Sequence, residues 1–102
     1  RLVSRLFVLV VRQRPEGETS WRLGLAVGRK FGCAVARNRI KRVVREFFRL
    51  NQSEIASPMD IVVMPRKGID ASHLTLDVAT QQLRPLLASL RRKTAAGDRS
   101  GL

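Results

Sequence analysis

The apolar positions of this chain switch between a period of two, which suits strands, and a period of about 3.6, which suits helices. Residues 2–12 (LVSRLFVLVVR) are rich in β-branched side chains and apolar on both faces at their centre. That pattern predicts an inner strand. The polar stretch 13–18 carries Pro15 and Gly17 and reads as a hairpin loop. Over residues 21–29, Leu23, Leu25 and Val27 alternate with Arg22, Gly24, Ala26 and Gly28, so a second strand should pack one face and keep the other small. Ile40, Val43, Val44 and Phe47 then fall at i, i+3, i+4 and i+7, the stripe of an amphipathic helix. Residues 52–58 form a polar linker closed by Pro58, and 59–64 (MDIVVM) form a short buried strand. A last helix is expected over 72–93, with Leu76, Ala79, Leu83, Leu86, Leu87 and Leu90 inward and Pro85 interrupting it. The fold class is therefore α+β: a small mixed sheet with helices packed on it, containing a β-α-β unit across residues 21–64. A right-handed crossover is the ordinary assignment for such a unit.

Length confines this to one domain, since 102 residues supply a single core with little to spare. Residues 1–93 make that domain, an α/β sandwich, and the small polar residues 94–102 are expected to form a disordered tail. No run of 18 apolar residues is present, so no membrane contact is expected. One cysteine excludes an internal disulfide and suits a reducing, cytoplasmic setting. With His73 the only histidine and no second cysteine, Cys33 has no support as a metal ligand or nucleophile.

Charge changes the picture. The chain carries a formal net charge of +12 and a pI of about 11.8, in the range of nucleic-acid binders. Eight of the twenty cations fall within residues 28–51, accompanied by one acid, Glu46. On the predicted helix, Asn38, Lys41, Arg42, Arg45 and Arg49 lie opposite the apolar stripe, with successive rows about 6 Å apart along the axis. A merely solvated face mixes signs and gains from Glu–Lys pairs at i, i+4. Here like charges at 41/45, 42/45 and 45/49 repel by a few tenths of a kcal/mol per pair, roughly. Such repulsion is tolerated where a polyanion will cover it, so this face is taken as a nucleic-acid surface. Gly24, Gly28 and Gly32 are spaced by four and match neither a dinucleotide-binding nor a Walker loop.

The order of these residues resembles one family. A Gly-containing strand ends in Arg29-Lys30; Gly32-Cys33-Ala34-Val35, Arg37-Asn38-Arg39, Ile40-Lys41-Arg42 and Arg45-Glu46 follow in one frame, then Asp60-Ile61-Val62-Val63 and Arg66-Lys67-Gly68. This resembles the bacterial ribonuclease P protein component and its Arg-Asn-Arg signature, over nearly the whole chain. Cys33 stands where that family usually has Asn. The chain also opens on a strand where members begin with another helix, so a leading helix and its aromatic residues are expected to be absent from it. The resemblance implies a left-handed crossover in the β-α-β unit. It implies a subunit of the endoribonuclease ribonuclease P, assisting removal of the 5′ leader from precursor tRNA during tRNA maturation. Its partners would be the ribonuclease P RNA subunit and the leader, with no obligatory protein partner. Hydrolysis, and the Mg²⁺ it needs, would belong to the RNA subunit, leaving no catalytic residue and no metal site on this chain. Contacts to the RNA subunit are expected from Arg37, Asn38, Arg39, Lys41, Arg42 and Arg45. Glu46 is expected to orient a neighbouring cation. Phe7, Leu9, Arg29, Lys30, Arg66 and Lys67 are candidates for a leader cleft or loop contacts. The alternative is a small basic structural RNA-binding protein of ribosomal type, with the same electrostatics and a different partner. An independent nuclease is disfavoured, because the eight acids are scattered.

Overall fold

Four strands and two long helices make up the structure, a computed structural model that describes residues 1–15, 17, 20–55 and 58–100, with the side chains of 93–100 outside the description. The strands are β1 (Leu2–Val3), β2 (Phe7–Gln13), β3 (Arg22–Leu25) and β4 (Met59–Pro65); the helices are α1 (Ala34–Leu50) and α2 (Leu76–Ser100). They form one mixed sheet in the order β1-β2-β4-β3, in which β2 runs antiparallel to both β1 and β4, and β3 runs parallel to β4. The parallel pair is joined through α1, which gives the expected β-α-β unit.

Two details depart from the sequence pattern. The apolar run 2–12 is two strands, because Ser4 turns the chain: its hydroxyl accepts from the Phe7 N–H at 3.1 Å and its own N–H donates to the Phe7 carbonyl at 2.8 Å. The stretch 13–18 is no hairpin loop, since β4 lies between β2 and β3. Residues 16, 18 and 19 of that connection lie outside the described residues.

The core sits between one face of the sheet and the helices. Pairing Phe7 with Pro65, Leu9 with Val63 and Leu23 with Ile61 puts Phe7, Leu9, Leu23, Ile61 and Val63 on this face, and period-two alternation sends Val8, Val10, Asp60, Val62 and Met64 to the other. Against the packed face lie Ile40, Val44, Phe47 and Phe48 of α1 and Ala79, Leu83, Leu86, Leu87 and Leu90 of α2. Ile55, in the stretch read as a polar linker, joins them. Phe47 and Phe48 meet edge to face at 5.3 Å between ring centroids, and Trp21 lies 6.1 Å from Phe48. Phe48 is therefore a full core residue at 0 % exposure, although it stands about 100° round the helix from Phe47, at the edge of the apolar stripe. α2 continues through Pro85 to Ser100, past the expected end at residue 93. The expectation of a disordered tail over 94–102 falls on residues whose side chains (94–100) or whole placement (101–102) lie outside the description.

Candidate nucleic-acid interface

The basic helix begins earlier than a cysteine cap would suggest. Gly32 precedes it at φ +116°, a conformation that favours glycine, and Cys33 stands in extended geometry as the N-cap without a side-chain capping bond. The Cys33 thiol is exposed, and the N–H groups of Ala36 and then Val35 pull its pKa below the ordinary thiol range. Packing of Ile40, Val44, Phe47 and Phe48 holds the helix in place of a good cap.

That packing aims the opposite side outward. Asn38, Arg42, Arg45, Glu46 and Arg49 line a shallow groove of about 400 Å³ on the outer face of α1. Glu46 is occupied within it: the Arg49 guanidinium donates to both its carboxylate oxygens, one through Nε at 3.0 Å. This hydrogen bonding lowers the Glu46 pKa and raises that of Arg49. The sequence expectation that Glu46 orients a cation holds, with Arg49 as the cation. Among the described residues, Arg42 and Arg45 have neither a hydrogen-bond partner nor an ion pair, and their charge faces solvent.

The remaining residues expected to touch RNA separate. Lys41 and Arg37 lie half-buried on one flank of the row, with Arg37 Nε enclosed and without a partner. Arg39 lies on the other flank and turns inward. Its Nε donates to the Ala71 carbonyl at 2.7 Å and its Nη2 to the Leu74 carbonyl at 3.1 Å.

A second surface is the uncovered face of the sheet. Val10, Arg12, Arg22, Gly24, Asp60 and Val62 border a groove of about 510 Å³ there, and Val10 is 40 % exposed. Its charged end is neutralised internally. Arg22 clasps Asp60 with two bonds of 2.8 and 3.1 Å, while Arg12 and Arg14 each approach the same carboxylate at 3.7 Å. The Arg22 hydrogen bonds, followed by the charges of Arg22, Arg14 and Arg12, hold the Asp60 pKa below its ordinary value.

The expected cleft residues Phe7 and Leu9 are not on this surface. Both are at 0 % exposure against the helices, because a one-residue step along a strand exchanges faces. The open face carries Val10 instead, while Val8, of the same parity, is itself buried at 7 % exposure. The signal for this was in the sequence: Arg12 shares their parity, and a charged residue marks the solvent side. Arg12, Arg14, Arg22 and Asp60 were missed for the same reason, since their pairing depends on β4 entering between β2 and β3. Of the loop cations, Arg66 reaches back to the Ser4 carbonyl at 2.7 Å, Lys30 lies 5.3 Å over the Phe31 ring, and Arg29 and Lys67 are exposed. No group of three or more His, Cys, Asp or Glu side chains converges among the described residues. No helix among them is long and apolar enough to cross a membrane.

A mixed four-stranded sheet backed by two helices, one of them carrying a cationic outer row, defines a small basic α+β domain. The sequence matches the Ribonuclease P family over residues 1–91, and the chain belongs to that family of protein subunits. The ribonuclease P protein component of Oleidesulfovibrio alaskensis is 47% identical over 91 residues, covering 89% of this chain and 73% of that one. That of Maridesulfovibrio salexigens is 37% identical over 98 residues, covering 96% and 79%. The solved RNase P protein of Thermotoga maritima superimposes with a TM-score of 0.75 at 39% identity, over 84% of this chain and 78% of that one. The Staphylococcus aureus RNase P protein gives 0.73 at 31% identity, over 87% and 78%. Membership implies part of an endoribonuclease and association with the ribonuclease P RNA, and it sets aside the ribosomal-type alternative.

Proposed function

We propose that the outer row of α1 binds the ribonuclease P RNA and that the open sheet face receives the single-stranded 5′ leader of precursor tRNA. Together they assist endonucleolytic removal of the leader in the cytoplasm. The observation that carries this reading is the groove of Asn38, Arg42 and Arg45, whose one acid is already taken by Arg49. Guanidinium forks there can each give two parallel charge-assisted hydrogen bonds to phosphate oxygens, and release condensed counterions as they do so. Asn38 adds a neutral donor and acceptor that fixes register. Lys41 and Arg37 extend the positive field along one flank. Along the sheet, unpaired bases would lie over Val10, Gly24 and Val62, with their backbone toward the Arg12 and Arg22 end. Arg29, Lys30 and Lys67 are left as peripheral contacts.

In this reading Mg²⁺ is held mainly by the RNA subunit, where it would activate the attacking water and stabilise the leaving oxygen. This chain supplies charge neutralisation and placement of the two RNAs, and none of its side chains handles the proton. Cleavage of precursor tRNA with each component alone and with both together tests the reading. Cleavage that needs the RNA subunit and is faster with this chain supports it. Cleavage by this chain alone, or a rate indifferent to it, overturns it.

A further inference from the structure

Consecutive residues on a helix point about 100° apart, so Arg37 and Arg39 stand on opposite flanks of Asn38. One RNA surface laid on Asn38, Arg42 and Arg45 cannot engage both equally. Arg39 is also already engaged. Its two bonds, of 2.7 and 3.1 Å, end on carbonyls of Ala71 and Leu74, 32 and 35 residues further along the chain. The Ala71 carbonyl also accepts the Leu74 N–H at 3.3 Å, and the Leu74 side chain is sunk in the core at 1 % exposure. The guanidinium thus closes the short turn Ala71–His73 that leads into α2, from a seat on α1. A planar fork can hold two acceptors at a fixed spacing, which an ammonium cannot.

We propose that Arg39 is a positioning residue: it brackets α1 to the turn before α2, fixes the angle at which the cationic row meets RNA, and is not itself a phosphate ligand. This rests on the reading of that row as the RNA surface. It divides the Arg37-Asn38-Arg39 motif into residues that touch RNA and a residue that places them. It also gives a role to the guanidinium of Arg39, which is turned away from the groove.

The test compares Arg39→Lys, which keeps the charge and loses the fork, with Arg39→Gln, which loses both, and with Arg42→Ala. Affinity for the ribonuclease P RNA is measured across salt, well below every variant's melting temperature, alongside amide exchange at His73 and Leu74. Bracketing predicts that Lys and Gln at 39 weaken binding alike, by about tenfold. It further predicts an unchanged salt slope for both, and faster exchange at the two turn amides. A phosphate ligand would behave otherwise: Lys would retain affinity, and Gln would flatten the slope by about 0.7–0.9 with exchange unchanged. Unchanged affinity in both 39 variants, with faster exchange, would reduce Arg39 to a purely structural residue and overturn the positioning role. Arg42→Ala should flatten the slope while leaving exchange at the turn unchanged. If Arg42→Ala alters neither affinity nor slope, the RNA reading of the row fails. In that case the positioning role falls with it, and the exchange data still decide whether the bracket exists.

Discussion

The outer face of α1 and the open face of the sheet are both exposed, yet they are built on opposite principles. On α1, Arg42 and Arg45 stand without partners among the described residues, beside an acid that Arg49 has already claimed. On the sheet, the groove floor is apolar, and its charges converge on Asp60 at one end. As an RNA surface, the first would draw its affinity from charge and should be strongly salt-dependent. The second is suited to unpaired bases and should be much less so. Under the proposed reading, one small protein holds two stretches of RNA by different physics, and either surface can be altered without the other.

The largest expected effect removes the support common to both. Phe47 and Phe48 are fully buried and in edge-to-face contact, so replacing either with Ala should cost about 3–5 kcal/mol. For a small domain of about 5–15 kcal/mol that is a large share. Thermal melts should show both variants severely destabilised, with RNA and leader binding lost together once they unfold. A Phe48→Ala protein that melts like the parent and binds RNA poorly would give that ring a base-stacking role and undo its assignment to the core.

Next comes the charge-driven surface alone. Arg45→Ala should weaken binding to the RNA subunit by about 1.5–3 kcal/mol, with stability changed by no more than about 0.5 kcal/mol. With Arg37, Lys41, Arg42 and Arg45 as the charged contacts, the slope of log K against log salt should be about −3. A slope shallower than about −1.5 would remove the basic helix as the main source of affinity. Leader recognition, measured as the difference between substrates with and without a leader, should be unaffected by Arg45→Ala.

The reverse separation uses Gly24. A Cβ there would meet Val62 Cγ2 at 3.5 Å and the Ile61 carbonyl oxygen at 4.0 Å, ordinary contacts, and its φ is unremarkable. Gly24→Val should therefore fold at least as well as the parent, since glycine weakens a strand interior. It would place a side chain in the groove and should reduce leader-dependent affinity by about tenfold, leaving the salt-dependent binding of the RNA subunit intact. Equal loss on leaderless substrate would show that the groove is not where the leader lies.

How far the sequence carried this comparison depends on the range of the interactions involved. The register of α1 was legible because Ile40, Val44 and Phe47 repeat within the helix itself, and the outward row follows from them. The open sheet face was only half legible. Runs such as Phe7-Val8-Leu9-Val10 are apolar at every position, so only Arg12 further along breaks the symmetry between faces. The Asp60 cluster needs the strand order, in which Arg12 and Arg22 flank Asp60 from neighbouring strands. Phe48 needs Trp21 from across the fold, and Arg39 needs two carbonyls over thirty residues away. Nothing local to those residues announces such partners.

The smallest expected effect concerns the two acids that lie one on each side of the comparison. Asp70 belongs to the turn on which Arg39 seats α1, and Asp60 to the open sheet. The Asp70 carboxylate accepts from the Ser72 hydroxyl at 2.7 Å and the Ser72 N–H at 3.0 Å, and pairs with His73 Nδ1 at 2.6 Å. Led by the Ser72 hydroxyl and then His73, these contacts bring its pKa from 3.8 to about 2. A folded pKa below the unfolded one stabilises the fold above the unfolded value, and that contribution is lost as pH falls through the folded one. The Asp70 contribution should thus be complete above pH 3.8 and fade toward pH 2. It should be small, because the carboxylate is exposed to solvent and salt. In melts from pH 5 downward, Asp70→Asn should lie slightly below the parent at the upper end and converge with it in acid. Asp60→Asn should follow the same sign, since Arg22 lowers that pKa too. The two should part in where they act. Acid or Asp70→Asn should speed exchange at His73 and Leu74, whereas Asp60→Asn should loosen only the end of the sheet at Arg12 and Arg22. Accelerated exchange at the turn in Asp60→Asn would mean that the helix side and the sheet side are coupled, and that the two RNA surfaces cannot be tuned apart.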